Sequence, residues 1–389
     1  MGRVLIAPDA FKGSLTSVEV AEALARGWTA ARPADTIVSS PLSDGGEGLV
    51  AAVGATPGWQ TLPVSARDPL GRPVTARFLR DDAGQGRAVV ELAQASGLSR
   101  VLGPGGDERD PLAASTFGTG LVLAAAIGLG CRDIVLGLGG SATTDGGAGL
   151  LAALGARFLD DQGRELPPGG GPLADLSSVD LDGLSPLLAE VALTVASDVT
   201  NPLLGELGAA ATYGPQKGAR PAQVQQLDTA LGQYADVLEA AAATGQRETP
   251  GAGAAGGTGF GLLAIAGRFR SFAMRPGVEV VMALTGFDAA LAEADIVLTG
   301  EGRVDEQTAF GKTCWGVAQR AAAAGRPCLC FAGAVLPEGE AALRGIGAAC
   351  LPMVERPSSL DQAMAAGPEP VARAAERAAR LVSIHLAAT

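Results

Sequence analysis

Along the chain, short runs of consecutive apolar residues alternate with alanine-rich stretches of helical period. VLIAPDA (4–10) predicts a strand and residues 18–31 a helix; TIVSSPL (36–42) predicts a second strand and residues 47–53 a short helix. ADIVLTG (294–300) predicts another strand, followed by a helix over 315–324. PCLCFAGA (327–334) and AACLPMV (348–354) predict two more, and residues 370–386 a last helix. Strands that are apolar throughout, each followed by a helix, belong to a parallel sheet covered on both faces.

The middle of the chain has a different rhythm. Residues 59–93 alternate apolar and polar positions around Pro-Leu-Gly and Asp-Asp-Ala-Gly turns, which predicts antiparallel hairpins. ARFLDDQGREL (156–166) reads as a further hairpin, and helices are expected over 117–129, 221–243 and 258–272. The expected fold class is therefore α/β with two domains. A Rossmann-like, doubly wound parallel sheet takes residues 1–58 and 273–389; a mixed α/β domain over 59–272 is inserted in it. The active site is expected in the cleft between them.

Composition sharpens this picture. Gly 56 and Pro 24 make about a fifth of the 389 residues, against roughly 12% in average usage. With 47% hydrophobic and 18% charged residues, disorder does not explain the excess, and glycine must serve turns and backbone-lined sites. The net charge of −12 and the absence of a basic stripe argue against nucleic-acid or membrane partners. Five cysteines without a C-x-x-C pair read as reduced thiols of a cytoplasmic protein. The apolar run at the N-terminus is too short for a signal peptide. One histidine, His385, leaves little for histidine-based zinc sites or triads. Of the 29 Lys and Arg residues only three are lysines, Lys12, Lys217 and Lys312, and each has a glycine beside it.

Polar clusters fall where the predicted strands end: PDAFKGS (8–14), PLSDGGEG (41–48), GSATTDGGAG (140–149), SDVTNPLLG (197–205) and EGRVDEQTAFGKT (301–313). Ligands of open α/β sheets bind at the carboxyl ends of strands. Gly311-Lys312-Thr313 before a helix is similar to the end of a Walker A loop, but Glu306 stands where the first glycine would be, so a true Walker A is rejected. A phosphate-facing loop with a helix N-terminus behind it is what remains. Glu301 and Asp305 would repel phosphate there unless a cation bridges them, which points to a Mg²⁺ site. DGGxG occurs at Asp44 and at Asp145; capping is the stronger expectation for Asp145, while Asp44 is a candidate for function. Gly137–Ala142 matches G-x-G-x-x-A, with Asp160 and Asp161 about 20 residues on. No helix follows directly, so a substrate-facing loop using the Ser141 and Thr143 hydroxyls is preferred to a dinucleotide site. Asp198 at a strand end is a candidate base or metal ligand, and Lys217 sits in a Gly/Pro turn.

Together APDAFKGS (7–14), PLSDGGEG (41–48), GLGGSATTDGGAG (137–149), ASDVTNPLLG (196–205), YGPQKGA (213–219), GAGAAGGTGFG (251–261) and TGEGRVDEQTAFGKT (299–313) resemble the bacterial glycerate kinase family, in its order and over nearly the whole chain. Ala10, Ser43 and Thr144 depart from the residues common there. The resemblance implies ATP- and Mg²⁺-dependent phosphorylation of D-glycerate, with 2-phosphoglycerate as product; 3-phosphoglycerate or another small hydroxy acid is the alternative. It makes Lys12, Asp44, Asp198 and Lys217 candidate catalytic residues, with Asp198 or Asp44 as base. Gly300, Gly302, Gly311, Lys312, Thr313 and Ser141 are candidates for nucleotide binding, and Glu301 and Asp305 for the metal. Which lysine meets ATP, which glycerate hydroxyl reacts and whether the chain forms a homodimer stay open. An NAD-dependent dehydrogenase using Gly137–Ala142 and a non-catalytic acid-sensing module are the readings of other classes.

Overall fold

Two units emerge from the pattern of internal contacts in the computed structural model, which describes residues 2–103, 106–306, 308 and 313–387, with side chains up to Ser383 in the last helix. One comprises Met1–Asp44, Ala51–Pro57 and Gly277–Thr389; the other comprises Gly45–Val50 and Gly58–Pro276.

The first unit is built on five parallel strands, in the order Ala348–Pro352, Cys328–Val335, Ile296–Val304, Arg3–Ile6 and Thr36–Ser39. The chain leaves Arg3–Ile6 toward one edge and later builds from Ile296–Val304 toward the other. Strand order therefore reverses between these two strands, the position where open sheets bind ligands. Helices Ser17–Ala31 and Glu369–Ala387 cover one face through Trp28, Leu24, Val371 and Ala375, which pack on Val4, Ile6, Leu298 and Phe331. The opposite face carries helices Thr313–Ala323 and Gly277–Thr285. A capping box between Thr16 and Glu19 starts the first helix by satisfying amides that have no partner within it.

The second unit holds a six-stranded sheet in the order Ser271–Arg275, Ala192–Ala196, Asp133–Gly137, Arg87–Glu91, Pro73–Asp81 and Trp59–Arg67. The first four run parallel and the last two form an antiparallel hairpin against them. Its core gathers Phe78, Val90, Leu136, Leu193, Tyr234 and Phe260.

Four expectations need adjustment. The helix expected over 258–272 ends at Ala264, and Ser271–Arg275 is an edge strand whose short alternation was hidden behind the preceding apolar helix. The strand expected to end at residue 300 runs to Val304, because Glu301 and Arg303 continue the parallel ladder with Ala332 and Ala334. The segment 156–166 turns back at Asp160–Gly163 as expected, with the Leu159–Glu165 bridge and Leu166 N donating to Phe158 O, but its longer ladder is the pairing of Arg157–Leu159 with Ser178–Asp180. Gly45–Val50 lies with the second unit rather than the first, since Glu91 of that unit accepts from the amides of Gly48 and Val50.

Gly27 tests the helix pair in the first unit. A Cβ added there would lie 1.9 Å from the carbonyl oxygen of Ala372 on the facing helix. Helix propensity alone favours alanine by about 1 kcal/mol, but overpacking costs about 1–3 kcal/mol. Gly27→Ala is expected to lower the thermal midpoint, whereas Gly345→Ala, which meets nothing within 4 Å, holds or raises it. Equal rises in both variants would contradict the close helix contact.

Candidate active site

At the switch point, the segment after Arg3–Ile6 stays hydrogen-bonded to its neighbour strand beyond the end of the regular ladder. The Asp9 amide donates to Gly300 O at 2.8 Å, and Thr299 Oγ1 donates to Ala7 O at 2.8 Å. Phe11 is buried, and Gly300 is pressed between strands: an added Cβ there would stand 2.7 Å from Phe331 O on the next strand and 3.4 Å from the Phe11 ring. This anchors the loop that carries Asp9 and Lys12.

Asp9 is the residue that sequence reasoning missed. Its Oδ2 accepts from Thr313 Oγ1 at 2.6 Å and its Oδ1 from the Ala10 amide at 2.7 Å. Burial, and then the negative charge of Asp44, push its carboxyl up to about 6; the Thr313 bond, the Ala10 bond and Lys12 oppose that rise. Lys12 Nζ lies 3.0 Å from Asp44 Oδ2, with the lysine side chain 81% exposed. Asp44 holds the ammonium above its ordinary value despite partial desolvation, and Asp9 and Glu301 add to the field. Three carboxylates thus surround one flexible cation. The signal for Asp9 was in the string PDAFK, directly after a strand.

Glu301 is 7% exposed and accepts from Thr308 Oγ1 at 2.9 Å. The same hydroxyl accepts from the Asp305 amide at 3.0 Å, and Asp305 pairs with Arg303 at 3.2 Å. Glu301 and Gly302 are strand residues, so the expected loop begins only at Asp305. Thr313 opens a helix and directs its hydroxyl to Asp9. Gly311 and Lys312 lie outside the described residues. Among the described residues no three or more His, Cys, Asp or Glu side chains converge as a metal-binding group.

Ser141, Lys217 and Asp198 belong to the second unit. Ser141 is 8% exposed and bridges to Gly97 through the backbone. Asp145 has the expected capping role: it accepts from Thr116 N and Oγ1 at 2.8 and 2.9 Å and from the amides of Gly147 and Gly149. Lys217, expected among the phosphate-facing cations, is instead 2% exposed, and its Nζ donates to Thr143 O at 2.5 Å. Burial pushes its ammonium down to about 7, and Asp145 opposes that shift. The short helical turn Pro215–Lys217, closed by Gly218 at φ 93°, sets this inward course. Asp198 is exposed just beyond Ala192–Ala196. Glu91, also missed, is 1% exposed at the end of the apolar run AVVE; burial pushes it up to about 7 although it accepts two amide bonds.

The G-x-G-x-x-A match serves packing, not a pyrophosphate. The Cβ direction of Gly137 meets Gly45 O at 2.4 Å, and that of Gly139 meets Gly46 Cα at 2.3 Å. Asp160 turns its carboxylate to the amides of Gln162 and Arg164 in its own turn, at 2.9 Å each. The dehydrogenase reading loses its support.

A doubly wound parallel sheet with carboxylates, a lysine and a helix start gathered at the switch point defines an α/β enzyme. The chain belongs to the glycerate kinase family, whose model matches residues 4–383, and it is an enzyme, a glycerate kinase. It is 42% identical over 381 residues to a glycerate kinase of Halalkalibacterium halodurans, covering 97% of this chain and 98% of that one. It is 38% identical over 392 residues to the glycerate 2-kinase of Escherichia coli K12, covering 99% of each. The crystal structure of a protein described as glycerate kinase 2 from Salmonella typhimurium LT2 superposes with a TM-score of 0.81 at 38% identity, over 99% of both chains. Among the described residues no helix is long and apolar enough to cross a membrane.

The buried lysine makes a stability prediction. Its folded value of about 7 lies below the 10.5 of a free lysine. Between those values the unfolded chain binds a proton that the folded chain does not, so stability rises with pH across that window. Lys217→Met removes this contribution. Thermal melts between about pH 7 and about pH 9 are expected to show a smaller upward slope in the variant than in the parent. Equal slopes would mean that Lys217 is charged in the folded protein.

Proposed function

We propose that this protein transfers the γ-phosphoryl group of ATP, with Mg²⁺, to the 2-hydroxyl of D-glycerate. The observation that carries the chemistry is Asp9, a carboxyl held near 6 beside Lys12 and bonded to the first residue of a helix. A base whose value lies slightly below neutrality is ionised in use and can still accept a proton efficiently. Asp9 takes the hydroxyl proton as the hydroxyl oxygen forms its bond to the γ-phosphorus and ADP leaves. Lys12 turns from Asp44 toward the phosphoryl oxygens; an exposed ion pair of this kind is worth about 0–1 kcal/mol, so exchanging partners costs little. Lys312 and the amides at the start of the Thr313–Ala323 helix hold phosphate. The 2-position rests on the relative described as a glycerate 2-kinase.

The donor set near Glu301 suits Mg²⁺. Both candidate ligands are carboxylates, and Thr308 bonds to Glu301 and to the Asp305 amide. Magnesium in phosphoryl-transfer sites takes one or two carboxylates and completes its shell with water and phosphate oxygens. Glu301 and Asp305 would hold it, and the ion would neutralise phosphate charge.

Purified protein with ATP, Mg²⁺ and D-glycerate is expected to form ADP, and enolase coupled directly to the reaction should register product. A signal that appears only when a phosphoglycerate mutase is added would assign the 3-isomer; no ADP would overturn the kinase reading for glycerate.

Asp9→Asn is expected to lower kcat by about 10²- to 10⁴-fold without lowering the thermal midpoint at neutral pH, because a buried charge is removed. In the parent, kcat/KM should fall as pH drops through about 6, and this limb should be lost from the residual activity of the variant. If Asp198→Asn shows the larger loss and Asp9→Asn stays within tenfold of the parent, the base is Asp198. Lys312→Ala should cost roughly 100-fold or more in turnover with the fold intact.

A further inference from the structure

Four of the five cysteines lie in the parallel-sheet unit, and two of them face each other on adjacent strands. Cys330 and Cys350 are register partners on the neighbouring parallel strands Cys328–Val335 and Ala348–Pro352. Neighbouring strands stand about 4.8 Å apart, inside the roughly 4.4–6.8 Å separation of Cα atoms that a disulfide spans. Cys314 Sγ, on the neighbouring helix, lies 3.5 Å from Thr299 Oγ1, and Thr299 is itself the register partner of Cys330 on the strand Ile296–Val304. Cys330 and Cys314 are fully buried, whereas Cys350 is partly exposed. The neighbouring Cys330 thiol holds the Cys350 thiol below its ordinary value, against burial and the charges of Glu340 and Glu301. Burial pushes Cys314 up. A partly exposed thiol with a buried thiol beside it on the next strand is the arrangement of a reactive and a resolving cysteine. The proposed phosphoryl transfer uses none of these groups.

We propose that Cys350 is a peroxide-reactive thiol and that Cys330 resolves its oxidised form to an intramolecular disulfide. The oxidant is a hydroperoxide. The Cys350 sulfur attacks the terminal peroxide oxygen and the O–O bond breaks. Sulfur loses two electrons and becomes a sulfenic acid, while the peroxide is reduced and leaves as the alcohol, or as water from hydrogen peroxide. The Cys330 sulfur then forms the S–S bond as the S–O bond of Cys350 breaks, and the departing hydroxide takes the Cys330 proton as water. Two thiols and one hydroperoxide give one disulfide, one alcohol and one water. A dithiol reductant returns the pair to its starting state.

The test is thiol chemistry on the full chain, so it stands apart from the kinase reading. The reduced protein is treated with hydrogen peroxide, denatured in iodoacetamide and mapped by peptide mass spectrometry. The expected result is a linked Cys330–Cys350 peptide that disappears after dithiothreitol. Cys350→Ser should lose this link and lose thiols at least about tenfold more slowly. Cys330→Ala should let Cys350 accumulate as a sulfenic acid trapped by dimedone; Cys350→Ala serves if the serine variant does not fold. Five alkylated thiols after peroxide treatment that oxidises free cysteine would overturn the proposal. So would unchanged thiol loss in the Cys350 variants, or a disulfide joining Cys314 to Cys330.

Discussion

Backbone touching backbone is the constraint on which the second unit depends. The loop that follows Asp133–Gly137 is closed in on several sides by main chain. Gly139 packs against Gly46, and an added Cβ at Gly256 would come within 2.0 Å of Thr143 O. Contact at this range leaves no room for a side chain, and it takes the polar groups of the loop out of water. Such groups need protein partners or they cost several kcal/mol each. That requirement explains why three ionisable side chains are buried in this region. Lys217 meets the Thr143 carbonyl, Asp145 gathers the amides of Gly147 and Gly149, and Glu91 receives those of Gly48 and Val50. The glycines permit close approach, and the buried ionisable groups meet part of what the approach desolvates, since the Thr143 and Thr144 hydroxyls in the same loop are buried without a protein partner among the described residues.

The first unit solves a different problem. Its switch point collects Asp9, Asp44 and Glu301 around Lys12 in a chain of net charge −12. A neighbouring carboxylate disfavours ionisation of a buried one. Asp9 shows the outcome directly, because its value of about 6 reflects burial reinforced by Asp44, only partly offset by Thr313 and Lys12.

Much of the sheet architecture was legible in the sequence because strands buried on both faces read as unbroken apolar runs. The Arg3–Ile6, Cys328–Val335 and Ala348–Pro352 strands stand close to where those runs lie. Ser271–Arg275 was not legible, since an edge strand of five residues with alternating exposure has too few apolar positions to stand out after an apolar helix. The continuation of Ile296–Val304 through Glu301 and Arg303 was hidden by polar side chains that a strand end tolerates. The site was legible as a set of strand-end strings but not as a geometry. Asp9 and Glu91 gain their character from burial and from the charges of Asp44 and Glu47, and neither is a property of local sequence.

The lysines make the same distinction sharper. Lys12 and Lys217 share a glycine neighbour and a rare residue type in an arginine-rich chain, and on sequence they look interchangeable. In the fold they are opposites. Lys12 is 81% exposed, paired with Asp44 and held above the ordinary lysine value. Lys217 is 2% exposed, bound to a carbonyl and pushed down to about 7. Arginine would suit neither place. Its broad guanidinium stays charged and needs several partners, whereas the buried position offers one carbonyl oxygen to a group that must be able to lose its proton. The exposed position holds a compact charge on a flexible stem against one carboxylate. Lys12 and Lys217 therefore answer two distinct physical needs, an exposed point charge and a buried donor to a carbonyl oxygen.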